Sequence, residues 1–381
     1  MEQIVISGTG VFTPEESITN KELVNAYNSY AESYNSNNED DISRGNKVAL
    51  ELSNEEFIFN ASGIKNRYVM DKKGILDPNI MHPILDKRSN DEPSILAEMS
   101  LSAAKKAMEM AKKKPHDIDA VITACSNLER AYPAISIEVQ ELLGIKGFAF
   151  DMNVACSSAT FAIQAAADMI KSGSAKTILI VDPEICSGHL DFKDRDCHFI
   201  FGDVCTAMIL EKRETAQSNN SFEILSTKCI TQFSNNIRNN FGFLNNAKKS
   251  SPLDRDLLFM QEGRKVFKEV VPMVSQLIID HVDEEKIKID EIKRLWLHQA
   301  NKSMNDFIGK KVLGRIPEDH EQPNILQDYA NTSSAGSIIA FSLYSEDMKT
   351  DEIGVLCSFG AGYSAGSITV SYTHLTLPTK A

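Results

Sequence analysis

The feature that most constrains the fold of this chain is that it repeats itself. The run from Glu291 to Asn301 (Glu-Ile-Lys-Arg-Leu-Trp-Leu-His-Gln-Ala-Asn) has the apolar body and polar exit of the run from Asp117 to Asn127 (Asp-Ile-Asp-Ala-Val-Ile-Thr-Ala-Cys-Ser-Asn). Phe359-Gly360 leads through Ala365 to Ile368 and Val370 much as Phe201-Gly202 leads through Ala207 to Ile209 and Leu210. Between these runs lie helical spacings, such as Leu96, Met99, Leu101, Ala104, Met108 and Ala111, closed at Pro115. Two βαβ-rich halves with one layout predict a duplicated α/β fold with mixed, mainly parallel sheets covered by helices. The halves are residues 1–213 and 222–371, with a polar junction at 214–221 between them. Ligand sites in such folds sit at strand ends, here where the halves meet.

Two stretches interrupt the first half. Residues 28–48 are rich in Asn, Ser, Glu and Asp, and residues 71–93 carry three prolines and mixed charge. Both predict long surface loops, either a wall over a site or simple decoration. Asn20 is expected to cap a helix beginning at Lys21.

The formal charge of -13 argues against a general nucleic-acid binder. Seven cysteines, an odd number without CxxC spacing, suggest neither a disulfide framework nor a zinc site and fit a reducing compartment. The first residues read directly as a strand rather than a signal peptide. No apolar run approaches the ~20 residues of a membrane span. A cytoplasmic protein is expected, with neither membrane nor nucleic acid as partner.

One cysteine stands apart. From Asp151 to Ile163 a strand-like run reaches Cys156 and becomes a small-residue helix. A thiol at a strand-to-helix turn meets free N–H groups and the positive end of the helix dipole, which lowers its pKa. A lone cysteine is more often a buried core residue, so a reactive one requires partners elsewhere. Three positions meet that requirement. His298 leaves the end of an apolar strand, where an imidazole can face a ligand. Asn331 sits at a loop-to-helix junction in Tyr329-Ala330-Asn331-Thr332-Ser333. Phe359-Gly360-Ala361-Gly362-Tyr363 is a tight turn able to aim backbone N–H groups at an oxyanion. Taken alone, these would be a structural histidine, a helix cap and a turn glycine pair.

In this order the motifs Ala155-Cys156-Ser157-Ser158, His298-Gln299-Ala300-Asn301, Ala330-Asn331-Thr332-Ser333 and Phe359-Gly360-Ala361-Gly362 make the chain resemble the β-ketoacyl-acyl-carrier-protein synthase III family of the thiolase-like superfamily. The resemblance spans residues 1 to about 370, and Asp194-Arg195-Asp196 and Phe201-Gly202-Asp203 look like family framework. It implies a layered αβαβα fold, a homodimer, and chemistry without a metal or other cofactor, with acyl-CoA and malonyl-acyl carrier protein (malonyl-ACP) as substrates. Cys156 would take the acyl group as a thioester. His298 and Asn331 would hold the malonyl thioester carbonyl as CO2 departs. The backbone N–H groups of Cys156 and Ala361 would hold the tetrahedral oxyanion. Lys268, Lys310 and Lys311 fall where the family docks its acidic carrier protein.

Some positions depart from the family pattern. The tryptophan and arginine that commonly sandwich the CoA adenine fall at Phe57 and Ala61, keeping an aromatic face but not the cation. Ser303 stands where an arginine is frequent, and Ala361 where a glycine is usual. With the two insertions these changes point to a divergent member, one taking a longer acyl chain. Alternatives within the superfamily are another acyltransferase or a β-ketoacid-forming condensing enzyme. Cys357 is one position out of step for the second cysteine of thiolases, and Glu138, on a helix face, is the carboxylate nearest to a glutamate base. A non-catalytic partner subunit is the reading from another class, although such partners generally lose the nucleophile. Residues 372–381 read as a non-native tail, which leaves His374 without a role.

Overall fold

Nine apolar runs become strands, and the computed structural model, which describes residues 2–247, 251 and 253–374, joins them in one sheet. They are β1 (Ile4–Phe12), β2 (Ala120–Ala124), β3 (Phe148–Met152), β4 (Thr177–Ile185), β5 (Asp203–Lys212), β6 (Asn220–Ser234), β7 (Ile292–Leu297), β8 (Ile353–Gly360) and β9 (Gly362–His374). Their spatial order is β7-β8-β9-β6-β1-β5-β4-β2-β3. The seam between the two halves is short: β1 meets β6 only through Val5 opposite Glu223 and Ile6 opposite Phe222. The sheet is mixed. Parallel pairing links β2 to β3 and β4, and β7 to β8, at the two ends of the sheet. The central ladders are antiparallel, so parallel pairing takes a smaller share than the repeat suggests. The reason is local: turns such as Ala361, between β8 and β9, return the chain beside itself.

Eight longer helices cover the strands: α1 (Asn20–Asn37), α2 (Glu55–Ser62), α3 (Ile95–Ala111), α4 (Ile135–Leu143), α5 (Ser158–Ser172), α6 (Gly263–Glu284), α7 (Lys302–Leu313) and α8 (Ala335–Leu343). α5 and α8 lie between the halves, each touching strands of both. Their sequences permit this. α5 presents Ala159, Ala162, Ala166 and Ala167, which let sheets approach from two sides, and α8 is apolar nearly all round. Burying Ile163, Ile338 or Phe341 there contributes roughly 1.5–3 kcal/mol each. α3 and α4 cover the outer face of the first half, and α6 and α7 that of the second. The result is five layers, α-β-α-β-α. At Gly10 a Cβ would lie 2.1 Å from the Ala103 carbonyl oxygen, so β1 rests directly on the backbone of α3.

The two insertions differ from the expected loops. α1 continues through Asn37, and a short helix follows at Glu39–Ser43, so much of 28–48 is helical. A capping box between Thr19 and Glu22 starts α1, and Leu23, Val24, Tyr27 and Ala31 carry its buried stripe past the Asn- and Ser-rich composition. Thr19, not Asn20, is the cap. Asn20 turns inward, donating to the Ile64 carbonyl (2.8 Å) and accepting from Arg67 (2.6 Å). In 71–93 only Lys72–Leu76 is helical, capped by Asp71. Together with α2 these segments build a separate core around Tyr27, Ile58, Phe192, Phe199, Phe201 and Phe259.

β9 runs three residues past the boundary expected at 372. Tyr372, Thr373 and His374 pair with Phe222, Ser221 and Asn220, and the Tyr372 ring packs on Phe222 at 5.2 Å. Residues 375–381 lie outside the described residues. Among the described residues no helix is long and apolar enough to cross a membrane.

Candidate active site

Cys156 occupies the turn between β3 and α5. Ala155 before it has φ 47°, which tightens the turn, and Ser158 closes it by accepting from the Val154 N–H (2.9 Å) and donating to the Ala155 carbonyl (2.7 Å). β9 is tied to this turn: Ser157 Oγ donates to the Ser364 carbonyl (3.0 Å) and Ser364 Oγ to the Val154 carbonyl (3.2 Å). β8 ends against the sulfur. A Cβ on Gly360 would lie 2.5 Å from Cys156 Cβ and 3.1 Å from Sγ, so only glycine lets the strand come this close. The next residue, Ala361, brings its backbone N–H to Cys156 Sγ, where the N–H of Cys156 itself also points.

His298 follows the end of β7, its N–H donating to the Cys357 carbonyl (2.8 Å) and its ring set edge-on to Phe359 at 5.1 Å. The ring is buried, Nδ1 has no partner among the described residues, and the Ser333 backbone meets the imidazole. The rest of its motif is structural. Gln299 donates to the Leu297 and Pro323 carbonyls and accepts from the Ile325 N–H. Asn301 caps α7 and donates to the Ala61 carbonyl (2.5 Å), fastening α2 to the histidine strand.

Asn331 belongs to a turn with left-handed residues on both sides, Ala330 at φ 56° and Ser333 at φ 52°. Its backbone is clipped to the first half: Asn331 N–H donates to the Ile200 carbonyl (2.9 Å) and accepts at its own carbonyl from Gly202 (3.1 Å). The side-chain oxygen accepts from the Ser333 N–H (2.9 Å), which fixes the amide orientation and leaves Nδ2 as the outward donor. The helix-cap reading of Asn331 does not describe this geometry, since α8 starts four residues later, at Ala335.

Ser333 is the residue that sequence reasoning missed. Its hydroxyl donates to Cys156 Sγ (3.5 Å), its backbone meets His298, and its N–H holds Asn331. Asn331, His298 and Cys156 therefore converge on one serine. The motif containing it was visible, but among neighbouring serines nothing marked this one out.

The electrostatics differ from expectation at the sulfur. Burial pushes the Cys156 thiol up to about 11, against the Ser333 hydroxyl, which lowers it, and with the Glu184 carboxylate, which raises it. The helix end alone does not make a resting thiolate here. Burial pushes His298 down to about 4, so its imidazole is neutral at physiological pH.

The Arg195 guanidinium lies over the Phe57 ring, 4.0 Å from its centroid, and Phe199 meets the same ring edge-on at 5.9 Å. A cation therefore stands over Phe57 although Ala61 carries none, brought there from a different segment. Arg195 is held there by the Leu52 carbonyl (2.9 Å). Lys268 on α6 and Lys310 and Lys311 in the last turn of α7 are exposed, on two helices that pack through Phe267 and Phe307 at 5.4 Å. Cys357 is buried in the outer core of the second half. Glu138 accepts from the N–H (2.6 Å) and Oγ (2.8 Å) of Ser94, the residue that caps α3. Neither is placed to act at Cys156. Among the described residues no group of three or more His, Cys, Asp or Glu side chains is arranged to bind a metal.

A duplicated α/β architecture carrying a cysteine at the head of a central helix, with an imidazole and a carboxamide from the other half, defines a condensing enzyme of the thiolase-like class. Residues 150–232 match the model for 3-oxoacyl-[acyl-carrier-protein (ACP)] synthase III, and residues 282–372 match that of its C-terminal part. The beta-ketodecanoyl-[acyl-carrier-protein] synthase of Pseudomonas aeruginosa is 57% identical over 343 residues, covering 90% of this chain and 98% of that protein. The beta-ketoacyl-[acyl-carrier-protein] synthase III of Clostridium perfringens (strain SM101 / Type A) is 27% identical, over 97% and 99%. In structure, the 3-oxoacyl-[acyl-carrier-protein] synthase III of Aquifex aeolicus VF5 matches with TM-score 0.75 at 23% identity, covering 97% of this chain and 99% of that one. The priming beta-ketosynthase of the R1128 polyketide pathway matches with TM-score 0.76 at 21% identity, over 97% and 96%; these two show the fold. The chain belongs to the 3-oxoacyl-ACP synthase III family. It is an acyltransferase of the ketosynthase type: acyl transfer to a cysteine is followed by decarboxylative Claisen condensation with malonyl-ACP.

Proposed function

We propose that Cys156 carries the acyl group, that His298 and Asn331 hold the malonyl thioester, and that the primer is a medium-length acyl-CoA. The observation that carries the assignment is the convergence on Cys156 Sγ of the Ser333 hydroxyl and the Ala361 N–H, with His298 and Asn331 anchored on the same serine. The amides of Cys156 and Ala361, already aimed at the sulfur, suit the oxyanion formed when it attacks a thioester or is later attacked by the malonyl-derived carbanion. A neutral His298 and the free Nδ2 of Asn331 are donors for the enolate oxygen as CO2 leaves. The sulfur-bound thioester stays electrophilic, so the carbanion forms the new carbon–carbon bond and releases Cys156.

The primer length follows from the Pseudomonas relative. Its name gives a ten-carbon β-ketoacyl product, and because malonyl adds two carbons, that enzyme starts from eight. At 57% identity the same primer is the first to test here. Arg195 stacked on Phe57 offers a charged, flat surface for the nucleotide end of CoA. Exposed Lys268, Lys310 and Lys311 form the basic counterpart for an acidic carrier protein on a chain of net charge -13.

We also read 1–213 and 222–371 as duplicated halves and the chain as a homodimer in the cytoplasm. β3 supports the dimer: among the described residues it pairs only with β2, and it carries exposed Phe148 and partly exposed Ala149, Phe150 and Met152.

Intact-mass measurement after incubation with acyl-CoAs of graded length tests the chemistry. The expected result is an acyl adduct that peaks near eight carbons, is absent in Cys156→Ala, and is discharged by malonyl-ACP with CO2 release. Asn331→Ala should still form the adduct but discharge it on the order of 10²–10³-fold more slowly, the typical worth of one such donor. An adduct on a different cysteine would overturn the assignment.

A further inference from the structure

Beneath the site lie two buried acids that the reaction does not use. Asp182 and Glu184 continue the inner face of β4 after Ile178 and Ile180, and are buried at 0% and 1% exposure. Neither has a lysine, arginine or histidine within ion-pair distance among the described residues. Unpaired charge is costly in such a place, so the pair needs hydrogen-bond partners and a proton. Ser334 is the shared partner. It stands at the head of α8, where a serine ordinarily caps the helix, yet its hydroxyl makes no capping bond. Its Oγ lies instead 2.6 Å from Asp182 Oδ1 and 3.0 Å from Glu184 Oε1. A hydroxyl has a single proton to give, so one of the two carboxyls must bring its own to complete both contacts. Two carboxyls this close do not both ionise.

The remaining donors decide which of them keeps the charge. Glu184 accepts from the Ser126 N–H (3.0 Å) and Oγ (2.5 Å), whereas Asp182 has Thr206 Oγ1 at 3.5 Å. Glu184 is therefore the carboxylate. Asp182 is the acid, donating to Ser334 Oγ, which donates in turn to Glu184. Burial raises both carboxyls, Glu184 to about 7 and Asp182 well above the usual carboxylate range.

From Glu184 two paths of contacts reach the two catalytic turns. One runs through Ser126, whose carbonyl accepts from Asn153 Nδ2 (2.9 Å). Asn153 Oδ1 accepts in turn from the N–H of Ala155 (3.0 Å), the residue before Cys156. The other path runs through Ser334 to its neighbour Ser333, which holds Asn331 through its N–H (2.9 Å) and donates to Cys156 Sγ (3.5 Å). The two turns belong to different halves of the chain, and one side chain on β4 is tied to both.

We propose that Glu184 and Asp182, sharing one proton, are positioning residues that clamp the Cys156 turn and the Asn331 turn in the register that condensation needs. This rests on Cys156 being the nucleophile and Asn331 a donor to the malonyl carbonyl. The clamp touches no substrate. It acts on the distance between the sulfur-bound acyl carbon and the carbanion, where a displacement of about 1 Å costs on the order of 10²-fold in rate.

The test follows two steps by intact mass: acylation of Cys156 by octanoyl-CoA, and discharge of the acyl-enzyme by malonyl-ACP. Glu184→Gln keeps the shape but cannot accept from every donor around it. It should slow both steps by about 10²-fold at saturating substrate, with the half-saturating concentrations unmoved. The single arms should separate the steps: Asn153→Ala slows acylation more than discharge, and Ser334→Ala slows discharge more than acylation. Asp182→Asn, whose amide donates as the protonated acid does, should slow both less than Asp182→Leu. Native rates in Glu184→Gln, a loss confined to half-saturation, arm variants that slow both steps alike, or the reverse order of the Asp182 variants would each overturn the clamp. Should Glu184→Gln fail to fold, the arm variants decide, since Asn153 is exposed and Ser334→Ala removes one hydroxyl. A native protein with no adduct on Cys156 removes the nucleophile assignment and the clamp with it, whereas a normal adduct with unseparated arm variants removes the clamp alone.

Discussion

In the proposed mechanism His298 acts as an uncharged ring. Burial takes its pKa down from 6.5 to about 4, so it can donate one hydrogen bond without carrying a charge that would hold the malonyl carboxylate back. The folded-state value is depressed, so the ring stays neutral until the pH falls close to 4. Decarboxylation of malonyl-ACP by the acylated enzyme should therefore show no loss centred at pH 6.5 when kcat is followed from pH 8 to 5. A limb at 6.5 would mean that the ring is solvated in the working enzyme. At this scale Cys156 and His298 drew notice at the exits of strand-like runs, and Asn331 at a loop-to-helix junction. Ser333 did not, being one of several small hydroxyl residues whose role depends on the left-handed turn at 333. Asp182 and Glu184 left a signal that went unread: two acids inside an otherwise apolar strand are costly to bury and so require a reason.

Among the elements, the contact of β1 with α3 sets a strict test. Gly10→Ala places a methyl group 2.1 Å from the Ala103 carbonyl oxygen and 2.8 Å from the Ala107 nitrogen, both backbone atoms of α3 that cannot rotate away. The helix must shift off the sheet, and overpacking of this kind typically costs about 1–3 kcal/mol. Urea unfolding should show a lower midpoint for this variant, and an unchanged midpoint would mean that α3 is free to slide. Strands and buried helices were read well because their apolar periodicity is strong over many residues. α1 was read short because composition pulled the other way: Asn and Ser disfavour helix interiors, yet the Thr19–Glu22 box and four buried positions outweigh them. Thr19 was overlooked as a cap because Asn20 is an equally good one by residue type, and only the buried Arg67 shows why Asn20 is needed inside. The cation over Phe57 was missed for a related reason, since Arg195 lies 138 positions further along the chain and only folding brings it there.

For the molecule as a whole, the free edge of β3 makes association testable. Phe148→Asp places a charge on the edge strand, where pairing with a second copy would bury it. Sedimentation or light scattering should show the native protein at twice the chain mass and the variant shifted toward a single chain; a native protein that runs as a single chain would remove the dimer. The duplicated α/β plan was legible from the internal repeat and the five-layer order from the family resemblance, but the antiparallel centre of the sheet was not, because the direction of a strand leaves no mark in its own residues.

The placement of β9 has a consequence for how the protein is made. Gly362–His374 lies between β8 and β6, inside the sheet and third from its β7 edge, although it is the latest of the nine strands in chain order. On the ribosome, some 360 residues must emerge while the gap that this strand fills stays open, with the inner edges of β6 and β8 unsatisfied. Ordered translation cannot build this domain outward from a finished centre; it has to keep a slot vacant until the final ladder arrives. Premature stops anywhere before that ladder should yield aggregates rather than a smaller working protein.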